Sequence, residues 1–269
     1  MDQLIAPPSH QPARQRRLGV VDGLGPHTTA RFYRLLCDKH RALTGGSSPD
    51  VVVHSISVQR RLVEVASAGA VRPENSEALR HLVARTCRSL AGSGADVIAV
   101  ACNATTVDPS IATSTCIGMV EATGKALRRL NARRVGLLAS SIMVASAAYE
   151  RGLADAGITV VAPAAHDQEV IDRFIESLRW SATPVPVPAS FLRAVTNLSE
   201  GVDAVVLDCA EFSGVVDTKM AGKPVIDSVS ALVDESCRAL LDPAPTGADP
   251  ASGPSQRGAG ELLRVGYIP

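Results

Sequence analysis

Two stretches decide the fold: Asp96-Val97-Ile98-Ala99-Val100-Ala101-Cys102-Asn103 and Val202-Asp203-Ala204-Val205-Val206-Leu207-Asp208-Cys209. Each is a short apolar run rich in β-branched residues and bounded by polar positions, which reads as a strand covered on both faces. Each runs straight into a cysteine. Outward from the first run, Leu18-Gly19-Val20-Val21 is an earlier strand ending in Asp22-Gly23-Leu24-Gly25-Pro26, and a helix carrying Phe32, Leu35, Leu36 and Lys39 follows. Val51-Val52-Val53-His54 is another buried strand. A helix over 74–92 opens at Pro73-Glu74 and closes at Gly92 and Gly94. Cys116-Ile117-Gly118-Met119 and a helix near 121–131 complete the set. The second half repeats the order. Val135–Ala139 is a strand, a helix spans about 143–156, and Ile158–Val161 is a strand. Helices near 167–179 and 188–200 precede the run that ends at Cys209, and Pro224-Val225-Ile226-Asp227 leads to a last helix near 229–241. This alternation predicts an α/β fold of two pseudo-symmetric lobes, each a parallel sheet flanked by helices, with the active site in the cleft between them. The first lobe is read as 18–131 and the second as 132–242, the last helix being able to pack on the first lobe. Residues 1–17 and the Pro/Gly-rich 243–269 read as flexible tails.

Composition narrows the function. The 269 residues carry 27 Lys+Arg against 27 Asp+Glu, so the concentrated basic face that nucleic acid requires is not expected. One Trp, three Tyr and four Phe are too few to suggest base-stacking platforms. No apolar run approaches the roughly 20 residues of a membrane span, and the N-terminal stretch lacks the apolar core of a signal peptide. The six cysteines therefore read as reduced thiols of a cytoplasmic protein. No cysteine pair has metal-ligand spacing and the six histidines are scattered, so neither metal nor cofactor is expected. Gly23-Leu24-Gly25-Pro26 lacks the third glycine of a dinucleotide fingerprint, and Pro26 suits the first helical position instead.

A thiol at the end of a buried strand, just before a helix, sits near unpaired N–H groups and the positive end of a helix dipole, an environment that favours the thiolate. Cys102 and Cys209 hold this place in both halves. An acid and a base on opposite faces of one carbon can remove a proton from one side and return it on the other, which inverts a stereocentre beside a carboxylate. The carbon acid is weak, so donors must be aimed at the substrate carboxylate. Asn103, Thr105, Thr106, Ser140 and Ser141 lie at strand ends where they can supply them. Cys37, Cys87, Cys116 and Cys237 fall on apolar faces and read as packing.

With these motifs in order, the chain resembles the aspartate/glutamate racemase family, cofactor-independent enzymes with one catalytic cysteine from each of two similar α/β domains. The likeness spans about 18–240 and is carried by Gly23-Leu24-Gly25-Pro26, Ala101-Cys102-Asn103, Met119-Val120-Glu121-Ala122-Thr123, Cys209-Ala210-Glu211 and Pro224-Val225-Ile226-Asp227. It implies that Cys102 and Cys209 transfer the proton and that Asn103 holds the α-carboxylate. Gly25, Thr105, Ser140, Ser141 and Glu211 are further binding candidates. It also implies a small amino-acid or dicarboxylic-acid substrate and a homodimer. Three departures stand out. The family's Cys-Asn-Thr has Ala104 in third place, its Gly-Cys-Thr-Glu becomes Asp208-Cys209-Ala210-Glu211, and Asp22 stands where aspartate racemases carry glycine. Arg60, Arg61 and Arg179 lie where relatives place basic residues for a second carboxylate, and they read equally as solvated surface arginines. Three activities fit: amino-acid racemisation, decarboxylation or cis–trans isomerisation of a small dicarboxylic acid, and non-catalytic carboxylate binding.

Overall fold

The computed structural model describes residues 15–22, 26–56, 73–102, 114–181 and 184–242. The apolar runs form two parallel sheets of four strands each. β1 (Arg17–Asp22), β2 (Asp50–Ser55), β3 (Val97–Val100) and β4 (Thr115–Gly118) lie in the order β2-β1-β3-β4. β5 (Arg134–Leu138), β6 (Thr159–Val161), β7 (Ala204–Leu207) and β8 (Val225–Asp227) lie in the order β6-β5-β7-β8. The two orders are the same pattern, and β3 and β7 hold the same inner place. Their helices are α1 (Pro26–Thr44), α2 (Pro73–Gly92), α3 (Met119–Arg129), α4 (Ser141–Ala145), α5 (Ala148–Ala154), α6 (Ala165–Trp180), α7 (Ala189–Ser199), the short α8 (Thr218–Ala221) and α9 (Ser228–Leu241).

The repetition reaches single residues. Asp96, just before β3, accepts the Arg17 backbone N–H at 2.7 Å, and Asp203, just before β7, accepts those of Arg133 and Arg134 at 2.8 Å. Gly19 in β1 and Gly136 in β5 each allow a helix to press on the sheet: a Cβ there would meet the Leu90 Cβ at 3.0 Å and the Leu198 Cγ at 2.9 Å respectively.

Every residue of β3 and β7 is buried, and alternate side chains enter different layers. Ile98 and Val100 pack with Leu79, Val83, Cys87 and Leu90 of α2. Val97 and Ala99 pack with Phe32 and Leu36 of α1 and with Val229, Leu232 and Cys237 of α9. In the second sheet, Val205 and Leu207 join Phe174, Phe191 and Phe212, whereas Ala204 and Val206 join Val120, Leu127, Tyr149 and Leu153. The helix that ends the second half therefore covers the first sheet, and α3, which follows the first sheet, covers the second.

This exchange ties the halves together. At the α3–α5 contact each helix offers a glycine to the other: a Cβ at Gly124 would lie 2.8 Å from Leu153 Cδ2, and one at Gly152 would lie 2.6 Å from Val120 Cγ1. Nearby, Glu235 of α9 accepts Arg129 of α3 at 2.8 Å. The helix expected over 143–156 is in fact two, separated at Ala147, whose φ of 49° is left-handed. Ser146 explains the break. Its hydroxyl donates to the Met143 carbonyl at 2.7 Å and accepts the Ala148 N–H at 3.3 Å, taking over partners the helix would use. Among the described residues no helix is long and apolar enough to cross a membrane.

Candidate active site

Cys102 and Cys209 each lie two residues past the end of the equivalent strands β3 and β7. They also share a face. Cys102 is 8% exposed and belongs to the layer between the first sheet and α2. Cys209 is half-buried against the layer between the second sheet and α6 and α7. The preceding residues point the other way, as alternation requires. Ala101 lies in the apolar layer under α1 and α9, while Asp208 reaches Tyr149 of α5.

The carboxyl edges of the two sheets approach one another. Arg31, in the second turn of α1, pairs with Asp227 at the end of β8 at 3.1 Å. The same Asp227 oxygen accepts the Ser213 hydroxyl, and the other oxygen caps α9 by accepting the Ser230 N–H at 2.8 Å. α1 also touches the 3-10 turn Ala210–Phe212 that follows Cys209. Helix and turn thus bring material from the end of β1 against the loop that carries the second cysteine.

The surroundings of Cys209 do not favour a thiolate, which corrects the expectation from sequence. The segment after it is a three-residue 3-10 turn, so no helix macrodipole develops there. Burial pushes the thiol up, and the Glu211 carboxylate adds to this by charge and by accepting the thiol proton. The Sγ donates to Glu211 Oε2 at 3.2 Å. Glu211 in turn accepts Arg179 Nε on its other oxygen at 3.0 Å. Burial acts to raise the Glu211 carboxyl, but the Cys209 thiol, its own backbone and Arg179 together hold it below its ordinary range. Cys209 rests as a thiol whose hydrogen points at a carboxylate. Arg179, offered by the sequence as a clamp for a second substrate carboxylate, is engaged in holding Glu211.

Asp208 is 7% exposed, and burial pushes its carboxyl up to about 8 against the lowering effect of the Tyr149 hydrogen bond. Tyr149 donates to Asp208 Oδ1 at 2.6 Å. Its phenol is held above its ordinary value by burial first and by the Asp208 charge second.

Of the other expected site residues, Ser140 and Ser141 follow β5. The Ser140 hydroxyl caps α4 by accepting the Met143 N–H at 3.4 Å, which leaves its own proton to donate. The Ser141 backbone N–H is taken by Asp172 Oδ1 at 2.9 Å. Gln168 steadies the same loop by donating to the Ala139 carbonyl at 3.0 Å. Glu211 stands beside Cys209. Gly25, Arg61, Asn103 and Thr105 lie outside the described residues. Tyr149, Asp172, Gln168 and Arg31 were not singled out from sequence. The one signal available was for Tyr149, since a tyrosine on an apolar helix face needs a polar partner when buried.

The fold and this arrangement define a two-lobed racemase-type α/β protein. The chain belongs to the Asp/Glu/Hydantoin racemase family, whose model matches residues 21–236. Among curated proteins it is similar to RacX of Bacillus subtilis (strain 168), a broad specificity amino-acid racemase, at 21% identity over 231 residues covering 83% of this chain and 98% of RacX. Among solved structures it is similar to a candidate Asp/Glu racemase from Yersinia pestis, with a TM-score of 0.71, 22% identity, and coverage of 84% of this chain and 99% of that one. Arylmalonate decarboxylase also shares the fold, at a TM-score of 0.53, 18% identity, and coverage of 85% of this chain and 94% of its own.

Proposed function

We propose that this protein is a cofactor-independent amino-acid racemase in which Cys102 and Cys209 exchange a proton with opposite faces of the α-carbon. The observation that carries this reading is their matched placement: same strand, same offset, same face of two equivalent sheets whose carboxyl edges meet. The thiolate of Cys102 removes the α-proton and becomes a thiol. The electron pair left on carbon spreads into the substrate carboxylate, which Asn103, Thr105 and the Ser140 hydroxyl are suited to hold. Cys209 then gives its proton to the other face and becomes a thiolate. In the opposite direction the reaction begins from the form the forward turnover leaves, with the Cys209 thiolate as base and the Cys102 thiol as donor. Aspartate, glutamate and other amino acids are the substrate class, Arg61 being the residue proposed for an acidic side chain.

Decarboxylation of a malonate-type acid is the second reading. It is favoured by one observation, that Cys209 is held as a proton donor, which is what a carbanion left by departing carbon dioxide needs. A second cysteine in the matching place serves no purpose in that reaction and favours racemisation.

The test is deuterium incorporation at the α-carbon across the amino acids in D2O, read by mass spectrometry, with malonate-type acids in parallel. Exchange into at least one amino acid, with both hands recovered, is expected. Decarboxylation without any amino-acid exchange would replace the racemase reading with the second one.

A further inference from the structure

Asp208 is anomalous by the standard of the molecule itself. Its counterpart in the first half is Ala101, 2% exposed in an apolar layer, and a carboxyl at such a depth is costly unless its oxygens are bonded. Tyr149, 1% exposed, supplies the bond at 2.6 Å. The phenol oxygen is flanked by the hydroxyls of Thr123 on α3 and Ser228, the first residue of α9, both buried. Ser228 directly follows Asp227, whose carboxylate holds Ser213 and Arg31. The segment 208–213 is therefore gripped at both ends by groups that converge at residues 227–228: Asp208 through Tyr149, and Ser213 through Asp227. Cys209 and Glu211 lie between the grips.

We propose that Asp208 and Tyr149 are a positioning pair, in which the phenol anchors the end of β7 and so fixes where Cys209 presents its thiol to the substrate. The pair touches no reacting atom. It acts through the peptide that joins Asp208 to Cys209, and it couples that peptide to α3 and α9, which pack on both sheets. The inference rests on Cys209 being a proton-transfer residue.

The experiment uses the full chain with Tyr149→Phe, Asp208→Ala and Asp208→Asn. It reads kcat and KM on whichever substrate the wild type turns over, the iodoacetamide alkylation rate of Cys209 by peptide mass spectrometry, and thermal unfolding. Tyr149→Phe and Asp208→Ala should lower kcat about tenfold or more with KM within about twofold, because a small displacement of a proton-transfer group weakens the chemical step more than binding. Both should change the Cys209 alkylation rate. Asp208→Asn keeps an acceptor for the phenol and should restore most of the loss seen in Asp208→Ala. Wild-type kcat and alkylation in folded Tyr149→Phe and Asp208→Ala would overturn the proposal, as would losses that only track the folded fraction. If the wild type turns over nothing, the racemase reading fails on its own, and the alkylation rates still decide for or against the pair.

Discussion

The first sheet ends its inner strand in Ala101-Cys102 and the second ends the equivalent strand in Asp208-Cys209, and the two ends are chemically unlike. Ala101 lies in the buried apolar layer that α1 and α9 help to form. Around Asp208 there is a buried carboxyl–phenol contact, and beyond it a thiol, a carboxylate and an arginine in series. The two halves place a cysteine at the same offset from equivalent strands, and in the second half the described partners of that cysteine run from Glu211 to Arg179.

The difference can be broken most severely by copying it. Ala101→Asp puts a carboxyl where no tyrosine waits, and it should destabilise the fold by about 3–5 kcal/mol in denaturant unfolding, the range for an uncompensated buried charge. Little loss would mean that the first half tolerates what only the second should.

Next in size is a pH effect. The Asp208 carboxyl lies at about 8 in the folded protein against 3.8 for an unperturbed aspartate, so the folded state keeps a proton that the unfolded chain has lost between these values. Its contribution to stability is full below about pH 4 and is lost as pH rises through about 8. The groups that face it or lie just beyond are Tyr149 from α5, Thr123 from α3, Ser228 from α9, and Cys209 with Glu211 along the chain. Asp208→Asn should flatten the stability–pH curve in this window by up to about 1.4 kcal/mol per pH unit, measured by urea unfolding.

The seam between the halves gives a smaller effect. Gly152→Ala drives a methyl into Val120 and should cost about 1–3 kcal/mol in denaturant unfolding, the range for overpacking. Smallest is the effect of Glu211→Gln. Removing the carboxylate that accepts the thiol proton lowers the Cys209 pKa, so its alkylation at pH 8 should rise several-fold. An unchanged rate would show that burial alone keeps the thiol protonated.

Most of the architecture was legible because β3 and β7 are unbroken apolar runs, and because the order of strands and helices repeats with Asp96 and Asp203 opening the equivalent strands. The matched placement of Cys102 and Cys209 past equivalent strands was legible for the same reason. What could not be read was anything set by distant pairing. Tyr149 and Asp208 are 59 positions apart, and neither neighbourhood hints at the other. Arg179 read equally as a clamp for a substrate carboxylate and as a solvated surface arginine, whereas it pairs with Glu211. The thiolate expected at Cys209 assumed a helix after the strand, and Ala210–Phe212 is only a turn. The split at Ala147 depends on which partners Ser146 chooses, a local competition that helical periodicity does not record.

The most direct test of two thiols on two faces is the hand of α-deuterium exchange in the single variants Cys102→Ser and Cys209→Ser. Each variant should lose net inversion by about 100-fold or more, the contribution of one acid–base group. Each should still exchange one enantiomer with retention, and the two variants should choose opposite enantiomers. Exchange of the same enantiomer by both, or racemisation surviving in either, would contradict the assignment of one proton-transfer thiol to each half.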